Sequence, residues 1–212
     1  MKIIDLTHPI DESMPVYPGT MPPVFNVANT IECEGFKEIR MDLCSHTGTH
    51  IDAPAHIFPN GRALDDYEVS KFIGMGTMID LRKMEGKEAL IEDLVAHLDI
   101  MAISDFVLLR TGWGERWGDE GYFCEHPTLS VDAARWLSMF NIKGVGIDAI
   151  SIDHTSSKEL EVHHLLLKKD ILIIENLANL DKIGSERFLF SCAPLKLKNS
   201  DGSPIRAFAI EL

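Results

Sequence analysis

Residues 45–56 read Ser-His-Thr-Gly-Thr-His-Ile-Asp-Ala-Pro-Ala-His, which places His46, His50, Asp52 and His56 within eleven positions. Imidazole nitrogens and a carboxylate at this density are the donor set of a catalytic zinc or a similar divalent ion, and an open coordination position admits water. The bland counterpart is three unrelated histidines beside an ordinary loop aspartate. A helix would align His46 with His50, but Thr47, Gly48, Thr49, Ile51 and above all Pro54 oppose one, so this is not the helical H-E-x-x-H arrangement. The segment before it alternates Ile39, Met41 and Leu43 with Arg40, Asp42 and Cys44. An extended chain continuing in that register turns His46, His50 and Asp52 away from the core, and a tight loop follows.

The elements that must position such a cluster are mostly strands. Apolar, β-branched runs at Ile3–Leu6, Val24–Ile31, Met75–Leu81, Phe106–Leu109, Val145–Ile152, Ile171–Ile174, Phe188–Phe190 and Ile205–Ile210 predict strands. Three helices are predicted: an apolar stripe of Leu90, Ile91, Leu94, Val95 and Leu98; a helix capped by Ser130 that stops near Asn141; and one from Ser156 or Ser157 that carries His163 and His164 and ends before Asp170. Strands with interspersed helices, and no repeat or linker-like tract, predict one mixed α/β domain over residues 1–212.

The chain has 212 residues and a net charge of −13. Acidic residues scattered along it argue against a phosphate-tracking surface, so neither nucleic acid nor an anionic membrane is an expected partner; a small molecule or a metal cation is. Apolar runs fall far short of the ~20 residues that cross a bilayer. The Met1-Lys2-Ile3-Ile4-Asp5 start does not read as a secretory signal, so a cytoplasmic protein is expected. Cys33, Cys44, Cys124 and Cys192 form no C-x-x-C pair and read as isolated thiols. No G-x-S-x-G motif or phosphate-binding glycine loop is present.

His-Thr-Gly-Thr-His-Ile-Asp-Ala-Pro-Ala-His resembles the H-x-G-T-H-x-D-x-P-x-H signature of the metal-dependent cyclase family, which includes bacterial kynurenine formamidases and isatin hydrolases. Asp5-Leu6-Thr7-His8-Pro9-Ile10, Met14-Pro15-Val16-Tyr17-Pro18-Gly19, the Gly146-Ile147-Asp148 to Asp153 stretch, and His163-His164 to Glu175-Asn176-Leu177 follow in the family's order. The resemblance implies a swivelling β/β/α fold with a mixed sheet, assembled into homodimers or homotetramers. It implies one or two divalent ions, zinc or alternatively manganese, with His46 and His50 on the first, Asp52 and Glu175 shared, and His163 on the second. His56 is then left unligated as the acid/base, and Tyr17 takes the place of a substrate-stacking Trp.

The residues themselves support part of this. Glu175 ends an apolar strand, where a carboxylate is costly unless it is exposed or paired with positive charge. Between His163 and His164 the residue pattern does not choose; the family's spacing to the glutamate selects His163. Tyr17 either stacks an aromatic acyl amide or braces its Pro-rich turn. Trp113 and Trp117 suit a pocket wall, a subunit contact or plain packing. Asp148, Ser151 and Asp153 either orient metal-bound histidines or cap turns.

The function expected is therefore a metal-dependent hydrolase of a small amide, of the arylformamidase type, cleaving an N-formyl arylamine such as N-formylkynurenine. The alternatives are hydrolysis of a cyclic amide or lactone, as in isatin ring opening, and metal binding without catalysis. An uncoordinated His56 separates the last from the others, because storage needs no acid/base beside the ion.

Overall fold

The computed structural model describes residues 1–211. In chain order its strands are β1 (Lys2–Asp5), β2 (Val24–Asn29), β3 (Glu38–Asp42), β4 (His50–Asp52), β5 (Ile73–Asp80), β6 (Glu88–Ala89), β7 (Phe106–Arg110), β8 (Thr128–Leu129), β9 (Gly144–Ile147), β10 (Leu172–Glu175), β11 (Arg187–Ser191), β12 (Gly202–Pro204) and β13 (Phe208–Glu211). The helices are α1 (Ile31–Glu34), α2 (Ile91–Val95), α3 (Leu98–Met101), α4 (Val131–Leu137) and α5 (Glu161–Lys168).

Among the described residues nine strands make one mixed sheet in the order β1-β13-β11-β5-β7-β9-β10-β4-β12. Its middle, β5-β7-β9-β10, is parallel, and the strands on either flank run antiparallel. Parallel strands are covered on both faces, and Phe106–Leu109 are accordingly fully buried. Side chains alternate between the two faces. Val107, Leu109, Val145, Ile147 and Ile173 pack under α4 and α5 through Ala134, Leu137, Val162 and Leu166. Phe106, Leu108, Leu172 and Ile174 point the other way, into a cluster with Ile4, Leu6, Ile51, Phe188 and Phe190. Because Ile4 on β1 and Ile51 on β4 share that cluster from opposite ends of the strand order, the sheet curls onto itself. Each fully buried Leu, Ile or Phe contributes roughly 1.5–3 kcal/mol, so these two clusters dominate the fold's stability. None of the described helices is long and apolar enough to cross a membrane.

Several sequence expectations shift in position. The stripe from Leu90 to Leu98 is not one helix: α2 and α3 are separated at Ala96 and His97, and Leu90, Val95 and Leu98 stay exposed while Leu94 alone of the five is buried. Val145–Ile152 leaves the sheet after Ile147, where Asp148 turns back to accept from the backbone of Thr111 and Gly112. Ile205–Ile210 is a gap between β12 and β13 followed by β13 itself. The alternation of Ile39 and Met41 has no core face behind it. β2 and β3 pair only with each other, as a ribbon on which Val27, Ile39 and Met41 are exposed. Extended register is not carried from β3 to the histidines; a turn with Gly48 at φ 64° intervenes.

Candidate metal centre

β4 is three residues long and flanked on both sides: Glu175 of β10 pairs with His50, and Gly202 of β12 pairs with Asp52. The strand's two-residue period puts Ile51 into the core and His50 and Asp52 together on the opposite face, with Glu175 beside them. β4 carries that alternation because Ile51 anchors it. α5 packs against β10 and brings His163 over the same face. Its start is unusual, since Leu160 adopts the left-handed conformation (φ 44°) and its N–H bonds Ser157 Oγ at 3.2 Å. The helix thus begins at Glu161 rather than at Ser156 or Ser157. His56 closes the short 3-10 turn Pro54–His56, and His46 stands in the turn ahead of β4.

His50, Asp52, His163 and Glu175 are each at most 5% exposed. His50 Nε2 lies 3.4 Å from Asp52 Oδ1 and 3.5 Å from Glu175 Oε2. His163 Nε2 lies 3.6 Å from Asp52 Oδ2 and 3.5 Å from Glu175 Oε1. Each carboxylate therefore presents one oxygen to each histidine, and histidine and carboxylate alternate around a ring. The far side of each imidazole is pinned: His50 Nδ1 donates to Gly48 O at 2.8 Å, and His163 Nδ1 to Asp153 Oδ2 at 2.6 Å. That leaves Nε2 of both as the inward-facing donor, the arrangement in which a second acceptor fixes the tautomer of a ligand histidine.

These donors fit a divalent ion. Ligand bonds of about 2.1 Å in a tetrahedron place neighbouring ligand atoms about 3.4 Å apart, longer than a good hydrogen bond. The N···O separations are close to that edge, and the ligand atoms gather in two sets that share Asp52, one of His46, His50 and Asp52 and one of Asp52, His163 and Glu175. Asp52 Oδ2 is also buried with no hydrogen-bond partner, a costly condition for a carboxylate oxygen that a cation relieves. Burial raises the pKa of Asp52, but His46 and His50 outweigh it and hold the carboxyl well below its usual value. Glu175 is lowered in the same way, burial opposing and His163 and His50 prevailing.

His46 lies at the edge of the ring. Its Nδ1 is 2.7 Å from Asp52 Oδ1 and its Nε2 is 3.0 Å from Asp201 Oδ2. Burial works against its charge, yet the two carboxylates push its pKa up to about 10. His56 stacks at a tilt on His46, ring centroids 4.0 Å apart, with Nδ1 3.6 Å from Asp201 Oδ2. Burial is the largest influence on His56 and lowers its pKa, which favours the neutral ring. No sequence pattern singled out Asp201: it sits in an Asn-Ser-Asp-Gly-Ser turn and approaches His46 from 155 residues away.

The structure therefore brings His46, His50, Asp52, His56, His163 and Glu175 to one place. His164 faces outward and bonds Leu160 O. Asp153 orients His163, whereas Asp148 secures the turn at Thr111 and Gly112. All the clustered residues open onto a cavity of about 480 Å³, in the range of small-molecule sites. Tyr17, Ile150 and Leu160 supply its apolar wall. Tyr17 does two things at once: it lines the cavity, and its hydroxyl donates to Thr155 O at 3.1 Å, tying the Pro-rich turn to the loop before α5. Trp113 and Trp117 are not in this wall; Trp113 Nε1 donates to Tyr122 O and Trp117 stacks on His8.

Comparison with known proteins adds a second line. A family model described as "Putative cyclase" matches residues 4–154. A kynurenine formamidase of Bacillus cereus is 35% identical over 208 residues, 96% of this chain and 95% of that one. Isatin hydrolase A from Labrenzia aggregata, bound to benzyl benzoate, superposes with a TM-score of 0.86 at 27% identity, covering 98% of this chain and 93% of that one. A predicted metal-dependent hydrolase from Bacillus stearothermophilus superposes with a TM-score of 0.81 at 33% identity, covering 98% and 97%.

Proposed function

We propose that this chain, which belongs to the cyclase family, is a divalent-metal-dependent arylformamidase that hydrolyses an N-formyl arylamine such as N-formylkynurenine to the free amine and formate. The observation that carries the proposal is the ring of four buried donors in which Asp52 and Glu175 each divide their two oxygens between His50 and His163. His50, Asp52, His163 and Glu175, joined by His46 once it gives up the proton it shares with Asp52 and Asp201, would hold one or two ions, zinc in our reading, with manganese the alternative. A bound ion of this kind polarises a carbonyl oxygen and acidifies water near neutral pH.

The chain's own groups supply the rest. The cavity wall of Tyr17, Ile150 and Leu160 orients an aromatic ring so that its amide lies among the donors, which makes attack effectively intramolecular. Burial favours the neutral form of His56, whose Nδ1 lies 3.6 Å from Asp201 Oδ2. Its Nε2 is then the atom that takes a proton from the attacking water and returns it to the departing amine nitrogen. Overall the amide C–N bond breaks, the water oxygen goes to the formyl carbon, and the amine leaves protonated.

A second reading keeps the same groups but takes a cyclic amide or lactone; the superposition on isatin hydrolase A favours it. Assembly into a homodimer or homotetramer is also part of the proposal, supported by the apolar residues Val27, Ile39 and Met41 that the β2-β3 ribbon leaves in water. A cytoplasmic setting is supported by four cysteines standing as free thiols.

Elemental analysis of the purified protein, paired with formate release from N-formylkynurenine with and without a chelator, tests the main reading. Stoichiometric metal and chelator-sensitive release are expected. Bound metal without release would reject the arylformamidase in favour of the cyclic substrates, and turnover indifferent to chelation would reject both.

A further inference from the structure

The catalytic cavity is lined by one lysine or arginine among the described residues, Lys158. It sits in the loop that Tyr17 latches through Thr155, between Asp153, which holds His163, and the left-handed Leu160 that starts α5. The acidic residues that follow, Glu159 and Glu161 on either side of Leu160, line another depression beside His164 and Leu165. Lys158 thus lines the catalytic cavity, and Glu159 and Glu161 do not. Lys158 is exposed while His50, Asp52, His163 and Glu175 are buried, so the lysine belongs to the solvent side of the cavity and these donors to its floor.

In a protein of net charge −13, a lysine lining the catalytic cavity supplies local positive charge that a carboxylate can meet. The floor is built for an amide, the wall for an aromatic ring, and the mouth for a negative charge. Resting on the arylformamidase reading, we propose that Lys158 forms a subsite for a carboxylate carried on the far end of the substrate, so that the enzyme selects aromatic amides bearing an acidic side chain over neutral anilides. An ammonium ion offers its charge and three donors to that contact. Its exposure makes the contact sensitive to salt.

The test compares the metal-loaded wild type with Lys158→Met and Lys158→Arg on N-formylkynurenine and on formanilide, which has no carboxylate. Lys158→Met is expected to raise KM for N-formylkynurenine about two- to fivefold with kcat unchanged and formanilide unaffected, a size typical of one exposed charge contact. Lys158→Arg should restore most of the loss, and added salt should raise the wild-type KM toward that of Lys158→Met. Equal effects on both substrates, or none on either, would overturn the subsite. If the wild type hydrolyses neither, the arylformamidase reading fails separately. The subsite is then judged by calorimetric binding of L-kynurenine against its carboxamide: a preference for the acid that Lys158→Met removes supports it, and no preference rejects it.

Discussion

Asp153 holds His163 twice with a single oxygen: Oδ2 accepts from the backbone N–H at 2.9 Å and from the ring Nδ1 at 2.6 Å. The helix position of the histidine and the rotation of its ring are thereby fixed by one group, and Oδ1 of the same carboxylate takes the N–H of Val162 at 3.0 Å. Replacing Asp153 by Asn keeps the shape but removes the charge and one certain acceptor. Metal affinity should fall about 10- to 100-fold, the usual cost of losing such a supporting carboxylate. Competition against a chromophoric chelator measures it, and an unchanged affinity would remove Asp153 from the centre.

His56→Ala should leave the metal content unaltered, because the four-donor ring does not include this side chain. Turnover should drop by about 10²- to 10⁴-fold, the range for loss of a general acid/base. Metal analysis and steady-state kinetics on the same preparation separate the two effects. A variant with full kcat would show that His56 Nε2 moves no proton in the rate-determining steps.

Gly202 pairs with Asp52 and lies against the ring of His46, so close that a Cβ there would stand 2.6 Å from His46 Cε1. Gly202→Ala must push that ring aside. We expect kcat/KM to fall at least tenfold, a displacement of this kind being costly in a site whose geometry is fixed. The melting temperature should change by only a few degrees, since the clash is with a side chain at the cavity edge. Wild-type kinetics in Gly202→Ala would mean that His46 has no part in the site.

The pH dependence of stability has a contributor far from the cavity. Glu211 Oε1 accepts the backbone N–H groups of Gly184 and Ser185, each at 2.6 Å, and Oε2 lies 3.2 Å from Lys2 Nζ. The Gly184 N–H leads in lowering its pKa from 4.5 to about 2. A carboxyl whose folded pKa is depressed adds stability above its unfolded pKa and loses it as pH falls toward the folded one. The stability difference between wild type and Glu211→Gln should therefore be full at pH 6 and shrink steadily from pH 4.5 to about 2. Urea titrations along that range read it directly; a gap that stays constant would mean the carboxylate is not engaged.

How much of this was legible in the sequence depended on how local each signal was. His46, His50, Asp52 and His56 stood out because their density survives without any fold, and Glu175 because a carboxylate ending an apolar strand is expensive. His163 was separable from His164 only through the family's spacing; in the structure burial distinguishes them, and burial on a helix with both faces partly apolar is a tertiary property. Asp201 carried no signal, since a turn aspartate becomes informative only when a distant strand places it against His46. The same limit explains Ile39 and Met41: alternation predicts a strand whether or not a core lies behind it, and here the ribbon stands clear of one. The split of the Leu90–Leu98 stripe has a similar origin, because Leu94 alone of the five stays buried there.

The flanking of β4 by β10 and β12 also dictates when the pocket can exist during synthesis. Thr49 Oγ1 reaches Asn176 O across 127 residues, and His46 reaches Asp201 across 155. A nascent chain that has emerged only through the His46–His56 segment has neither neighbour strand, so that segment waits unpaired while ribosomes add residues at about 5–20 per second. Loop-closure entropy is paid for both long connections before any ligand meets another. Any ion that these residues hold would therefore be captured late, after collapse of the sheet rather than as its guide.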